Sequence, residues 1–174
     1  GLAWEKVAVR TGSFDFSGNN VLVVGASRAG IGAAIARAFQ AAGATVAITG
    51  AEPEPAEEDR ARFAYTQLDV TDLDAVRALS ARTERLDILV NSATQLCEDL
   101  LEPQPFWEKP LSNLEMWEVG VRSYYVSSWH AAKLMARQKS GLIVQISGYT
   151  GVTYTYGVVF SATKCTVDRI SRDM

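Results

Sequence analysis

The sequence predicts one α/β domain, a doubly wound parallel sheet with helices on both faces, formed by residues 19–174. Three observations predict it. Short β-branched apolar runs recur along the chain, as in strands buried on both faces. Segments of helical period alternate with those runs. A glycine-rich turn joins the first run directly to the first helical segment. With 174 residues the chain can bury one sizeable core.

The elements follow in order. Residues 1–18 read as a leader. Residues 21–24 give the first strand, and 31–42 an alanine-rich helix that Gly43 ends. Residues 45–49 form a second strand. The stretch from Gly50 to Arg62 carries two prolines and five acids, so a loop with at most a short helix is expected, its charges solvated. Residues 63–68 make a third strand. Asp72 caps a helix over 73–82, and 87–90 is a fourth strand. The segment 98–110 holds three prolines and reads as an irregular connection. A long helix fits 114–138, a fifth strand 142–146, and a last helix 159–172.

Composition excludes several classes. Hydrophobic residues make up 48% and charged residues 21% of the chain, an ordinary globular balance. A formal net charge of −3 without a basic cluster argues against a nucleic-acid partner. No apolar run is long enough to span a bilayer, and the first residues lack the apolar stretch of a signal peptide. Cys97 and Cys165 form neither a disulfide framework nor a zinc site, and each is expected to be a small buried hydrophobe. No metal site is read from the sequence, and a reduced, cytoplasmic setting is the default expectation.

The most informative segment is VLVVGASRAGIGAAIARAF, residues 21–39. A strand feeding a glycine turn that opens into a helix points backbone N–H groups, and the positive helix end, at a pyrophosphate. Gly25 permits the turn, Gly30 allows close ligand approach, and Gly32 lets the helix pack on the sheet.

This segment resembles the glycine fingerprint of the short-chain dehydrogenases/reductases, and further motifs recur in that family's order. LDVTD, residues 68–72, resembles the adenine-contacting segment. LDILVNSAT, 86–94, resembles the family's LDILVNNAG strand end. GLIVQISGYTG, 141–151, resembles the strand that carries the catalytic serine, and FSATK, 160–164, stands in the YxxxK place. Residues 105–135 most resemble the branch represented by dehydrogenase/reductase family member one. The resemblance covers nearly the whole chain from Phe14 and implies a Rossmann-like fold. It implies NAD or NADP as cofactor, the choice left open, with Gly25, Ser27, Arg28, Gly30, Ile31, Gly32, Asp69, Val70, Asn91, Ser92, Ala93 and Lys164 as binding residues. It implies hydride transfer with a small-molecule carbonyl or secondary alcohol. It also implies an oligomer assembled through the helices at 114–138 and 159–172.

Departures from the pattern shape the expected activity. Four residues, not three, separate Gly25 from Gly30, and Val24 replaces a threonine. The places of the ribose-reading acid or arginine hold Gly50 and Ala51. Arg28 would favour a 2′-phosphate and Glu52 would oppose it. Thr94 replaces the glycine of the NNAG motif. Gly120 falls at the place of the family's catalytic asparagine. The serine reads two ways: anchoring on the strand puts Gly148 at the catalytic place, whereas counting back from Phe160 puts Ser147 there, and Ser147 is favoured. Phe160 stands where the family has its proton-donating tyrosine, with Lys164 one helical turn on. The resemblance therefore implies a homo- or hetero-oligomer with weak or absent hydride-transfer activity, or a non-catalytic subunit supporting an active paralogue in a hetero-oligomer.

Other residues have plainer expectations. Tyr149, Tyr154 and Tyr156 read as aromatic packing around a pocket. His130 reads as a helix-surface or interface residue. Trp117, Val121, Tyr125, Ser128, Ala132 and Met135 share a helix face that reads as core. Family members continue with two more strands and a substrate-covering segment, so most of the substrate wall is expected to lie outside this sequence.

Overall fold

The computed structural model describes residues 14–174; the leader expected at 1–18 lies mostly outside the described residues. Five parallel strands form one sheet in the order β3-β2-β1-β4-β5: β1 Asn20–Val24, β2 Thr45–Gly50, β3 Ala64–Gln67, β4 Ile88–Asn91 and β5 Leu142–Gln145. The helices are α1 Ile31–Ala41, α2 Leu73–Ala81, α3 Ser123–Gln138 and α4 Val158–Asp173.

Strand alternation splits the core into two layers. Val21, Val23, Ile48, Ile88 and Val90 point to one face, where Ala36 and Phe39 of α1 pack on them. Leu22, Val24 and Leu89 point to the other and meet Val76 of α2, Tyr124 and Met135 of α3, and Val167 of α4. β1 sends its chain outward to β2, whereas β4 lies on its other side. The crevice at the carboxyl ends of β1 and β4 is the place where such sheets take ligands.

The sequence elements recur within a residue or two at each end. Asp72 caps α2 as expected, its carboxylate accepting from the N–H groups of Asp74 and Ala75 at 2.9 and 3.0 Å. Residues 14–18, read as part of a leader, pack on the domain: Phe16 donates its N–H to the Ala42 carbonyl and sets its ring against Phe39. The long helix expected over 114–138 enters through a 3₁₀ turn, Leu111–Leu114, one α turn, Glu115–Trp117, and a π turn, Glu118–Arg122. Before it, the irregular connection is tied by Lys109, whose ammonium donates to the carbonyls of Asp99 and Glu102.

Several expected burials do not occur. Cys165 is exposed, because it faces outward on α4, and Cys97 is half-buried. The helix face read as core is mixed: Val121, Ser128 and Met135 are buried, while Trp117, Tyr125 and Ala132 are exposed. Tyr149 and Tyr154 project into solvent at 76% and 70% exposure, so they line no packed pocket. Asp59 is fully buried in the acidic loop, paired at 2.8 Å with Arg37 of α1. No helix among the described residues is long and apolar enough to cross a membrane.

Candidate functional site

The glycine loop is held by contacts that leave no room for side chains. Gly25 has φ 86°, and a Cβ there would lie 2.4 Å from the Ala93 backbone. The N–H groups of Gly25 and Ala26 both donate to the Thr49 carbonyl, fixing the turn to β2. A Cβ on Gly32 would lie 2.4 Å from the Gly25 carbonyl oxygen, so helix α1 can rest on the loop only with glycine there. Gly30 is open, with nothing closer than 4.0 Å to its would-be Cβ. The N–H groups of Ser27 through Gly32 donate to no other group among the described residues. Unpaired donors at the start of an eleven-residue helix are what a pyrophosphate requires.

The side of the loop facing β2 is built differently from the sequence expectation. A Cβ on Gly50 would fall 1.9 Å from the Ser27 hydroxyl oxygen. Glycine at the usual place of the ribose-reading acid therefore makes room for Ser27. The Ser27 hydroxyl in turn donates to Glu52, and Arg28 pairs with the same carboxylate. The Ser27 hydrogen bond foremost, with smaller help from the backbone and Arg28, holds the Glu52 carboxyl below its ordinary range against the cost of burial. The Tyr65 hydroxyl, from β3, donates to the Gly50 carbonyl at 3.0 Å and also reaches the Glu52 carbonyl. Arg28 and Glu52, opposed signals in the sequence, are thus one ion pair. The sequence offers no signal for the part played by Tyr65, because its contact needs the β2–β3 pairing.

The end of β4 is tied to its neighbours through Asn91. Asn91 is fully buried and turned beneath the sheet: its amide nitrogen donates to Ser128 at 3.2 Å and Gln145 at 3.0 Å, and its side-chain oxygen accepts from Ser127 at 2.7 Å. Its backbone carbonyl accepts from Ile146 at 2.9 Å. Both polar ends are used in tying β4, β5 and α3 together. Ser92 and Ala93 remain beside the loop; the Ser92 hydroxyl lies 3.2 Å from the would-be Cβ of Gly32. Asp69 is turned onto its own chain, accepting from the Thr71 N–H and hydroxyl, while Val70 is buried.

At the other end of the crevice stand α4 and the turn after β5. Lys164 is 7% exposed, and its ammonium makes one long hydrogen bond, 3.4 Å, to the Ile146 carbonyl. It has no carboxylate within ion-pair reach among the described residues. Burial pushes its pKa below the ordinary lysine value, with Asp168 opposing. The Phe160 ring centroid lies 5.5 Å from the Lys164 nitrogen, and Tyr156 meets that ring edge-on at 5.8 Å. An ammonium with unused donors fits the hydroxyls of a sugar.

Ser147 donates its hydroxyl to the backbone carbonyl of Lys164 at 3.3 Å. The residue directed at the Lys164 side chain is Gly148, whose would-be Cβ lies 4.0 Å from Lys164 Cγ and 3.9 Å from the Thr150 hydroxyl. Ser147 and Gly148 both lie just past the end of β5, with Gly148 in an extended conformation before the turn at Tyr149–Gly151. Gly120 lies on the π turn, where a Cβ would meet Thr163 Cγ2 at 2.8 Å. An asparagine there would push Thr163, the neighbour of Lys164, out of place.

The comparisons agree with this architecture. The family model described as "short chain dehydrogenase" matches residues 19–174. The chain is 33% identical over 174 residues to mouse (Mus musculus) dehydrogenase/reductase SDR family member 1, covering 90% of this chain and 54% of that protein. It is 33% identical over 168 residues to rabbit (Oryctolagus cuniculus) L-fucose dehydrogenase, covering 90% and 56%. It thus spans about half the length of these relatives. Among solved structures, a short chain dehydrogenase/reductase family protein superposes with TM-score 0.77 at 29% identity, covering 91% of this chain and 68% of that one. ElxO, solved with NADP bound, superposes with TM-score 0.73 at 28% identity, covering 87% and 64%. The fingerprint loop, the five-stranded order and the YxxxK-type helix therefore have one common origin, and this chain belongs to the short-chain dehydrogenase/reductase family of oxidoreductases.

Proposed function

We propose that this chain is the dinucleotide-binding part of a short-chain dehydrogenase/reductase that holds NAD(H) and has little hydride-transfer activity of its own. The observation that carries the reading is the Lys164 ammonium, buried and short of acceptors, facing a phenylalanine ring where the family has a phenol.

The residues present fit the cofactor at both ends. The free N–H groups of Ser27 through Gly32 would take the pyrophosphate, and Lys164 the hydroxyls of the nicotinamide ribose. Glu52, held on the loop by Ser27 and Arg28, favours a 2′-hydroxyl and repels a 2′-phosphate. The bound nicotinamide would supply hydride exchange. What the protein must add is a proton for the carbonyl oxygen. Phe160 cannot give one, and the Ser147 hydroxyl is engaged with helix backbone. Removal of a positioned general acid slows such a reaction by about 10²–10⁴-fold.

A second reading, a subunit that supports an active paralogue, draws on the outer face of α3. Tyr125 and Trp129 are 54% and 47% exposed there, on the helix through which the family assembles. Sedimentation at micromolar concentration tests the assembly, and a monomer would oppose it. Titrating NADH and NADPH against the chain tests the main reading. Tighter binding of NADH is expected; no binding of either dinucleotide would end it, and preference for NADPH would end the role given to Glu52.

A further inference from the structure

Behind the crevice, the face of the sheet shared by α2 and α3 is incompletely filled. Leu22, Leu68 and Leu89 form the floor of a cavity of about 220 Å³, with Val76 and Leu134 on its walls. The gap has a local cause. Small residues, Ser80 and Ala81 on α2 and Ala131 on α3, meet where two helices cover one broad strip of strands. An apolar cavity of about 150 Å³ already stays dry and accepts a small apolar molecule.

The mouth of this cavity has one sign of charge. Arg77 of α2 and His130, Lys133 and Arg137 of α3 stand around it, and no acid lines it. Arg77 is partly satisfied by Asp74 at 3.0 Å on the exposed helix surface. Lys133 lies 3.4 Å over the Trp129 ring, a contact that leaves its charge uncancelled. Neither Lys133 nor Arg137 has an acidic partner among the described residues. Burial first, then Lys133 and Arg77, pushes the His130 pKa below its ordinary value. Such a cationic rim is unlike the chain as a whole, whose net charge is −3.

We propose that this cavity binds an amphiphilic anion, specifically a medium-chain carboxylate, with the alkyl chain between α2, α3 and the sheet and the carboxylate among His130, Lys133 and Arg137. An apolar body alone would leave the cations unanswered, and a cationic amphiphile would be repelled. The site shares none of the glycine-loop or Lys164 contacts, so it stands whether or not the chain binds a dinucleotide.

Octanoate is the probe, titrated into the full chain. His130 is the only histidine, so its ring signals in NMR report from the mouth without ambiguity. Saturable binding is expected, with the His130 pKa rising because a carboxylate now opposes Lys133 and Arg77. From hexanoate to octanoate, affinity should rise about fourfold per methylene. Octylamine should bind at least tenfold more weakly than octanoate. The double variant Lys133→Glu/Arg137→Glu, confined to exposed positions, should weaken octanoate at least tenfold while leaving the thermal midpoint near that of the parent. Ala131→Leu, which fills the cavity, should weaken every chain length. Equal affinity for octanoate and octylamine, binding that leaves His130 unmoved, or full affinity in the rim variant would each overturn the proposal.

Discussion

The two ends of the crevice are built to different standards. At the glycine loop, each essential position is fixed by a contact that tolerates no alternative: Gly25 against Ala93, Gly32 against the Gly25 carbonyl, Gly50 against Ser27. At the lysine end, the frame is intact but few polar side chains stand near the Lys164 ammonium. Phe160 keeps a ring without a hydroxyl, Gly148 faces Lys164 with no side chain, and Gly120 has given its space to Thr163. On the function proposed above, binding geometry and proton chemistry are separable in this fold: backbone N–H groups and packing would hold the first, and a few side-chain changes would remove the second without disturbing it.

That comparison can be broken most forcibly at the loop. Gly25→Val combines a positive φ with a backbone collision and should cost about 3 kcal/mol or more of stability; urea denaturation with an unchanged midpoint would show that the loop is looser than described.

The next largest effect belongs to the lysine end. Phe160→Tyr places a phenol beside the Lys164 ammonium and should raise carbonyl reduction with NADH about 10²–10⁴-fold over the parent. Adding Gly148→Ser to that variant should raise the rate further, because a side chain at 148 meets Lys164 and Thr150 only at ordinary contact distances. If both variants stay inactive while NADH still binds, the supporting-subunit reading gains.

A smaller effect separates function from stability at a single residue. Lys164→Met removes a buried, poorly partnered ammonium and should stabilise the chain at neutral pH by about 1–2 kcal/mol while weakening NADH binding. The sign follows from linkage. With the folded pKa below the ordinary lysine value, the unfolded chain binds more protons between the two values. The parent therefore gains stability as pH rises through that window, and the methionine variant should lack this gain. Thermal melts at pH values rising to the ordinary lysine pKa measure it.

The smallest change is expected at Glu52. Its carboxyl is held below its ordinary range, so its contribution is present above that range and fades as pH falls through the lowered folded value. Glu52→Gln should cost less than about 1 kcal/mol in the melt, since the Arg28 partner is largely exposed. Its clearer readout is cofactor choice: the ratio of NADPH to NADH affinity should rise. An unchanged ratio would place the discrimination elsewhere.

Much of this was legible in the residues. Periodicity and β-branched runs mark the strands and helices, most plainly at the inner strands β1, β2 and β4, where burial leaves a nearly continuous apolar signature. The glycine spacing reveals the phosphate loop, since few side chains tolerate such a turn. The missing phenol at Phe160 is visible without coordinates. Side-chain direction was not legible. Asn91 and Ser147 carry the family's residue types, and only the structure shows their partners: Ser127, Ser128 and Gln145 for Asn91, and the Lys164 carbonyl for Ser147.

Local pattern therefore determined the elements, their order and the positions that could carry chemistry. Tertiary structure alone decided which of those positions face the crevice, that Arg28 and Glu52 cancel each other, and that α2 and α3 leave an apolar cavity beneath a cationic rim. The physical reason is one of range. Propensity and periodicity act between neighbours in sequence, whereas these pairings join residues brought together by strand order and helix packing, where a one-residue shift along a strand turns a side chain from one face to the other.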